Sequence, residues 1–288
     1  MQDLELWDVS PIDGSLAGQR RVLIVGGGKM GSAILDGLAN IFDPTQMTVC
    51  EPDPARRAEL VARYPALHAT STLSGIEDHT YGADDWIIVA VKPQIISDVL
   101  DEINRIGCQA LVISVAVGVP IAQLAQSLPL ATVIRIMPNL PVMIGEGMVL
   151  IAPSARATDQ QIDEVAQACF ELGDIALIEE ADIDICAAIS GSGPAYIALV
   201  IDALERAAVN AGLSEALARD LVLTTVIGTA DMIDVTGDEP VALAQAVQSP
   251  GGTTERAVSV LDEVGLADLF DRAVAAAIER ARQLAEGV

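Results

Sequence analysis

Lysine is the scarcest charged residue in this chain. Of 16 basic residues in 288, only Lys29 and Lys92 are lysines, and 41 acids set the formal net charge at −25. A chain of that sign repels phosphate backbones and anionic headgroups, so neither nucleic acid nor a membrane is expected as a partner. Histidine is limited to His68 and His79, both in a loop-rich stretch. That is too little for a histidine-based triad, and no metal is expected. The four cysteines, Cys50, Cys108, Cys169 and Cys186, lack metal or redox spacing. They read as buried free thiols in a reducing, cytoplasmic setting. Aromatics make up 3% of the chain against 51% hydrophobic residues, so the core must be aliphatic. Apolar runs such as 111–117 and 196–201 fall short of the roughly 18 residues that a bilayer span needs. Residues 1–19 are acidic and lack a basic start and a long apolar run. They read as a mobile extension rather than a signal peptide.

What is present begins with Gly26-Gly27-Gly28-Lys29-Met30-Gly31. The run Val22-Leu23-Ile24-Val25 before it reads as a buried parallel strand, and Ile34, Leu35 and Leu38 after it fall at helical spacing. Strand, G-x-G-x-x-G and helix make a dinucleotide fingerprint. Gly26 allows the tight turn, Gly28 lets backbone approach a pyrophosphate, and Gly31 lets the helix pack close to the strand. The helix start offers N–H groups and a positive dipole end to the phosphates. Glu51 follows a second strand, where an acid commonly reads the ribose. Both lysines stand in candidate ligand loops, Lys29 in this one and Lys92 after a strand near 86–91.

Strands and helices alternate through the first 180 residues. Further strands are expected at 110–117, 132–137, 148–152 and 175–178, and helices at 93–105, 120–127 and 159–172. This alternation predicts an α/β fold, a Rossmann-type doubly wound sheet over 20–180. Ligands then bind beyond the carboxyl ends of the strands, at the loops 26–31, 51–57, 91–94, 116–118 and 137–141. From about Ile183 strand signals stop. Helical patterns run through 194–210, 214–235, 240–247, 253–264 and 266–286, with Gly212 and Ser214 as end and start signals. Several are apolar on more than one face, so an all-helical domain over 181–288 is expected to be covered by a second subunit.

Two helix starts in this part suit chemistry. Ser190-Gly191-Ser192-Gly193-Pro194-Ala195-Tyr196 puts glycines and a proline at a first turn, with Ser192 or Gly193 as cap. Ser249-Pro250-Gly251-Gly252-Thr253-Thr254 combines free N–H groups, glycines and hydroxyls, which suits a small carboxylate. Each also reads as an ordinary capped turn. No strong general acid or base stands out. That favours an acceptor that is already electrophilic, such as a protonated cyclic imine, over a carbonyl that needs a proton donor.

Taken together these residues resemble the pyrroline-5-carboxylate reductase family, from about Arg21 to Leu284. The carriers are the Gly-rich loop, Ala90-Val91-Lys92-Pro93-Gln94, Ile136-Met137-Pro138-Asn139, Gly145-Glu146-Gly147-Met148, SGSGPAY at Ser190 and SPGGTT at Ser249. The resemblance implies reduction of L-1-pyrroline-5-carboxylate to L-proline by NADPH or NADH, in a homodimer or larger homo-oligomer joined through the C-terminal helices. It implies that Thr254 hydrogen-bonds the substrate nitrogen, with Ser249, Gly251, Gly252 and Thr253 around the carboxylate. Gly26, Gly28, Lys29, Met30, Gly31, Glu51, Arg56, Ala90, Lys92, Pro93, Ala116, Asn139, Ser190 and Gly193 would serve the cofactor.

The chain also departs from the family pattern. Leu140 stands where the family usually has threonine, and Lys29 where it usually has asparagine. Glu51 would accept from a ribose hydroxyl and repel a 2′-phosphate, a repulsion that Arg56 and Arg57 could offset. NADH is therefore expected to be tolerated or preferred. The alternatives are a reductase of a related imine or hydroxy acid, and a non-catalytic nucleotide-binding homologue.

Overall fold

The computed structural model describes residues 20–76, 81–106 and 108–285. The extension expected at 1–19 and His79 lie outside the described residues. The strands are β1 (Val22–Val25), β2 (Met47–Cys50), β3 (His68–Thr70), β4 (Trp86–Val89), β5 (Leu111–Ser114), β6 (Thr132–Pro138), β7 (Gly147–Pro153) and β8 (Gly173–Leu177). They form one sheet in the order β3-β2-β1-β4-β5-β6-β7-β8. Every neighbouring pair is parallel except β6 and β7. Only a short 3-10 turn, Leu140–Ile144, joins those two, too little chain for a crossover, so β7 must return antiparallel.

The strands are continuously apolar because both faces are covered. Val22 and Ile24 join one core with Ile34, Leu35 and Leu38 of α1 (Lys29–Leu38) and Val165 of α5 (Asp159–Cys169). Leu23 and Val25 join the other with Leu100 and Ile103 of α3 (Ile96–Arg105) and Leu124 of α4 (Ile121–Ser127). The doubly wound sheet expected from the sequence is the one that forms. Two of its elements were not anticipated. The stretch 51–57 is not all loop, because α2 (Pro54–Arg63) starts inside it. Asp53 caps α2, accepting from the Ala55 N–H at 2.8 Å and the Arg56 N–H at 3.3 Å, with proline next. That is a legible start signal. β3 has three residues and no apolar run, and its pairing with β2 alone defines it.

The helical part comprises α6 (Ile183–Ser190), α7 (Gly193–Asn210), α8 (Glu215–Thr236), α9 (Pro240–Ala246), α10 (Thr253–Val264) and α11 (Leu266–Ala285). The chain divides into two compact units, one ending at Gly191 and resuming at Ile278, the other Ser192–Ala277. This differs from the boundary at 180 drawn from sequence, because α6 sends Ile183 into the core of the sheet. Ser192 stands at the N-cap of α7, as one of the two expected positions, but without a side-chain bond. It is itself helical, so Gly191 and Ser192 are a turn between two helices. Gly212 at φ 106° and Ser214, which accepts from the Leu217 N–H at 3.4 Å, end and start helices as expected. Within α7 to α10, only Ala218 and Val222 are buried.

The expectation that no stretch reaches span length needs correction. Residues Glu180–Asn210 pass as a span by length and composition, with hydropathy 1.5 over the most apolar window. Short runs hid this, because polar residues interrupt a high average. The stretch is broken at Gly191–Ser192 and carries Glu180, Asp182, Asp184 and Asp202.

At the amino ends of the strands, Asp85 ties β1 to β4. Its carboxylate accepts from the Arg21 N–H at 2.9 Å and the Gly82 N–H at 2.9 Å and pairs with the Arg21 guanidinium. Burial alone would raise its pKa, but these donors hold it below the usual carboxylate value. A depressed folded pKa gives stability that is full above the unfolded value of ~3.9 and lost as pH falls through the folded one. Asp85→Asn is therefore expected to cost about 2 kcal/mol at neutral pH. Urea titration should show that gap narrowing as the pH is lowered from neutral to below ~3.9. An equal gap at both ends would contradict the assignment.

Candidate active site

The register sets the site. Val25 pairs with Cys50 on one side and Val89 on the other, so Gly26, Glu51 and Ala90 leave the sheet side by side. Gly26 has φ 102°, and a Cβ there would lie 2.5 Å from the Ala90 carbonyl oxygen. A Cβ on Gly31 would lie 1.9 Å from the Gly26 oxygen, so only glycine lets α1 come this close to the turn. A Cβ on Gly28 would meet nothing within 4 Å. Gly28 is the N-cap of α1, with no side-chain cap bond and no acid in the first turn. These N–H groups therefore face open space at the positive end of a helix.

A cavity of about 490 Å³ lies over this helix start, lined by Gly27, Gly28, Lys29, Arg56, Lys92 and Met143 among others. Both lysines of the chain thus meet in one cavity. Among the described residues Lys29, Arg56 and Lys92 make no ion pair. Arg63 also lines the cavity, but Asp36 holds it at 2.7 Å. Uncapped amides, three unpaired cations and a gap where a side chain would stand fit a phosphate-bearing dinucleotide.

Glu51 is placed differently from a ribose-reading acid. It is 4% exposed. One carboxylate oxygen accepts from the Gly27 N–H and the other from the Asp53 N–H, both at 2.8 Å. It ties the Gly-rich loop to the start of α2. Arg57 donates to the backbone oxygens of Glu51 at 2.6 Å and Pro52 at 3.2 Å, which leaves Arg56 as the arginine of that pair at the cavity. The Met30 side chain packs on the core, so only its backbone meets the site. Ala90 and Pro93 flank Lys92 at the exit of β4, and Ala116 is buried beyond β5.

At the end of β6, the Asn139 carbonyl oxygen accepts from the Met148 N–H at 2.9 Å, and its amide donates to the Ser190 carbonyl at 3.0 Å. The Ser190 hydroxyl is buried without a hydrogen-bond partner. Gly193, Ser249 and Thr254 belong to the other unit. There Gly251 has φ 69°, and Gly252 caps α10 with no side-chain bond. A Cβ on Gly252 would lie 2.4 Å from the Ser249 hydroxyl oxygen. Thr253 and Thr254 open the helix. Sequence reasoning missed Glu255, whose carboxylate accepts from the Gly251 N–H at 2.6 Å. The SPGGTT turn therefore already holds one carboxylate, and an acid directly after the motif was the visible signal. Met143 was also missed, because nothing local brings residue 143 to the Gly-rich loop.

Residues 180–284 match the model for pyrroline-5-carboxylate reductase dimerisation, and residues 21–118 that for NADP oxidoreductase, coenzyme F420-dependent. A pyrroline-5-carboxylate reductase of Corynebacterium melassecola is 36% identical, over 91% of this chain and 98% of its own. One of Escherichia coli is 35% identical, over 93% and 99%. The solved structure of a Coxiella burnetii pyrroline-5-carboxylate reductase superposes with a TM-score of 0.81 at 33% identity, over 93% of this chain and 99% of its own. A Plasmodium falciparum pyrroline carboxylate reductase, solved with NADP bound, gives 0.83 at 29%, again over 93% and 99%. This chain belongs to the pyrroline-5-carboxylate reductase family.

Proposed function

We infer that this chain reduces L-1-pyrroline-5-carboxylate to L-proline with a reduced nicotinamide dinucleotide. The observation that carries the reading is the uncapped, glycine-built start of α1 under a cavity that gathers Lys29, Arg56 and Lys92, in a chain matched over 91% and 93% of its length by pyrroline-5-carboxylate reductases. The cofactor supplies the hydride when bound. Gly26, Gly28, Gly31 and the amides at Lys29 and Met30 cradle its pyrophosphate, and the two lysines neutralise it. Ala90, Pro93, Ala116 and the Ser190–Gly193 turn border the rest.

The substrate enters as its iminium, so hydride addition at the ring carbon of C=N leaves a neutral ring amine. No separate proton donor is required. This accounts for a site without an activated histidine or carboxylic acid. The Thr254 hydroxyl accepts from the ring N–H. The N–H groups of Gly251 to Thr254 hold the carboxylate once Glu255 yields Gly251, with the Ser249 and Thr253 hydroxyls beside them. Purified protein should oxidise NADH or NADPH only when pyrroline-5-carboxylate is present. Cofactor binding without such oxidation would sink this reading.

The dimerisation region implies a homo-oligomer. We place its contact on α7 to α11, where Leu199, Ile227 and Val235 are 69%, 59% and 84% exposed. Light scattering should return a dimer or a multiple of it. A monomeric mass would contradict that contact.

For the cofactor, we propose that both NADH and NADPH are used. Glu51 offers little charge to the cavity, because it is buried and both oxygens already accept backbone N–H groups. Arg56 lines the cavity unpaired and suits a 2′-phosphate. Arg56→Ala should raise the KM for NADPH about tenfold and that for NADH by no more than about twofold. Glu51→Gln should weaken both cofactors, since it loosens the loop. Improved NADPH use alone in Glu51→Gln would return Glu51 to the ribose.

A further inference from the structure

We propose that Asn139 is a positioning residue, one that holds the Ser190–Gly191 end of α6 for hydride transfer and does not itself touch the cofactor. The proposal rests on the reductase reading above and goes beyond it. Asn139 stands at the end of the β6–β7 ladder, where its N–H donates to the Met148 oxygen at 3.2 Å. Its side chain then spans two elements. The carbonyl end accepts from the Met148 N–H at 2.9 Å, and the amide end donates to the Ser190 oxygen at 3.0 Å. Ser190 is the last residue of α6, where backbone carbonyls have run out of helical partners. Asn139 satisfies one of them and in doing so fixes where α6 stops.

The neighbourhood leaves that stop little freedom. A Cβ on Gly191 would lie 2.7 Å from the Ala187 oxygen and 3.5 Å from the Met137 methyl carbon, so the turn is packed on its helix and on β6. Gly193, two residues on, has nothing within 4 Å of where a Cβ would be. The end of α6 is thus clamped at Ser190. The Ser190 hydroxyl beside this clamp is buried and unpartnered. Leucine at 140 supplies no hydroxyl to share the task. One side-chain amide therefore ties the end of α6 to the β6–β7 ladder.

Asn139→Asp is the informative change. It keeps the acceptor for Met148 and replaces the donor to Ser190 with a second acceptor. Displacing a border of the reacting geometry by a fraction of an ångström is expected to lower kcat at least about tenfold. NADPH affinity, measured directly by fluorescence titration, should stay within about threefold, because no cofactor contact is removed. Amide exchange at residues 190 and 191 should speed up in the variant whether or not the protein turns over pyrroline-5-carboxylate. That readout separates failure of this proposal from failure of the reductase reading. Asn139→Ala, which loses both arms, should show the same split with a larger drop in melting temperature. The proposal is overturned if NADPH affinity falls in step with kcat, which would make Asn139 a cofactor ligand. It is also overturned if kcat is unchanged, if exchange at the turn is unchanged, or if the lost rate only tracks the unfolded fraction.

Discussion

The site depends on how closely α1 approaches the turn that follows β1. A methyl group on Gly31 would stand 1.9 Å from the Gly26 oxygen, and one on Gly26 would stand 2.5 Å from the Ala90 oxygen. No side chain fits either gap, so the absence of two Cβ atoms lets a strand end, a helix start and the next strand's exit converge. Once they converge, the free amides of α1 fall beneath the cavity, and Lys92 arrives from β4 beside Lys29. A bulkier residue at either glycine would push the helix away and disperse the amides and cations together.

Charge is arranged around the same point. In a chain of net charge −25, an anionic ligand approaches against the overall field. The local answer is to engage the nearby acids, Glu59 at the cavity pairing with Arg63 at 3.6 Å, and to leave cations unpaired. Glu51 is turned inward onto the Gly27 and Asp53 amides, and Asp36 is engaged by Arg63 and by the Tyr64 hydroxyl. Lys29, Arg56 and Lys92 remain for the ligand. Glu51 braces the loop through these two amides, a side-chain direction that strand position does not reveal.

What was legible in the sequence was set locally. The glycine fingerprint, the apolar strands and the caps at Gly212 and Ser214 are consequences of chain geometry within a few residues. The mostly parallel sheet followed from their alternation. What escaped depended on partners far along the chain. β3 exists only because β2 pairs with it, and Met143 reaches the cavity because β6 and β7 fold back on each other. The two hydrogen bonds of Asn139 join residues 9 and 51 positions away. α2 and Glu255 belong to a third kind, since Asp53-Pro54 and the acid after SPGGTT were in view but were outweighed by neighbouring ligand motifs.

The central claim is that an inward-turned Glu51 leaves Arg56 and the α1 amides to hold a dinucleotide. A crystal structure of this chain with NADP tests it most directly. The account predicts the pyrophosphate over the amides of Lys29 and Met30, the 2′-phosphate on Arg56, and Glu51 still bound to Gly27 and Asp53. A Glu51 carboxylate swung out onto the ribose, with Arg56 away from the phosphate, would contradict it.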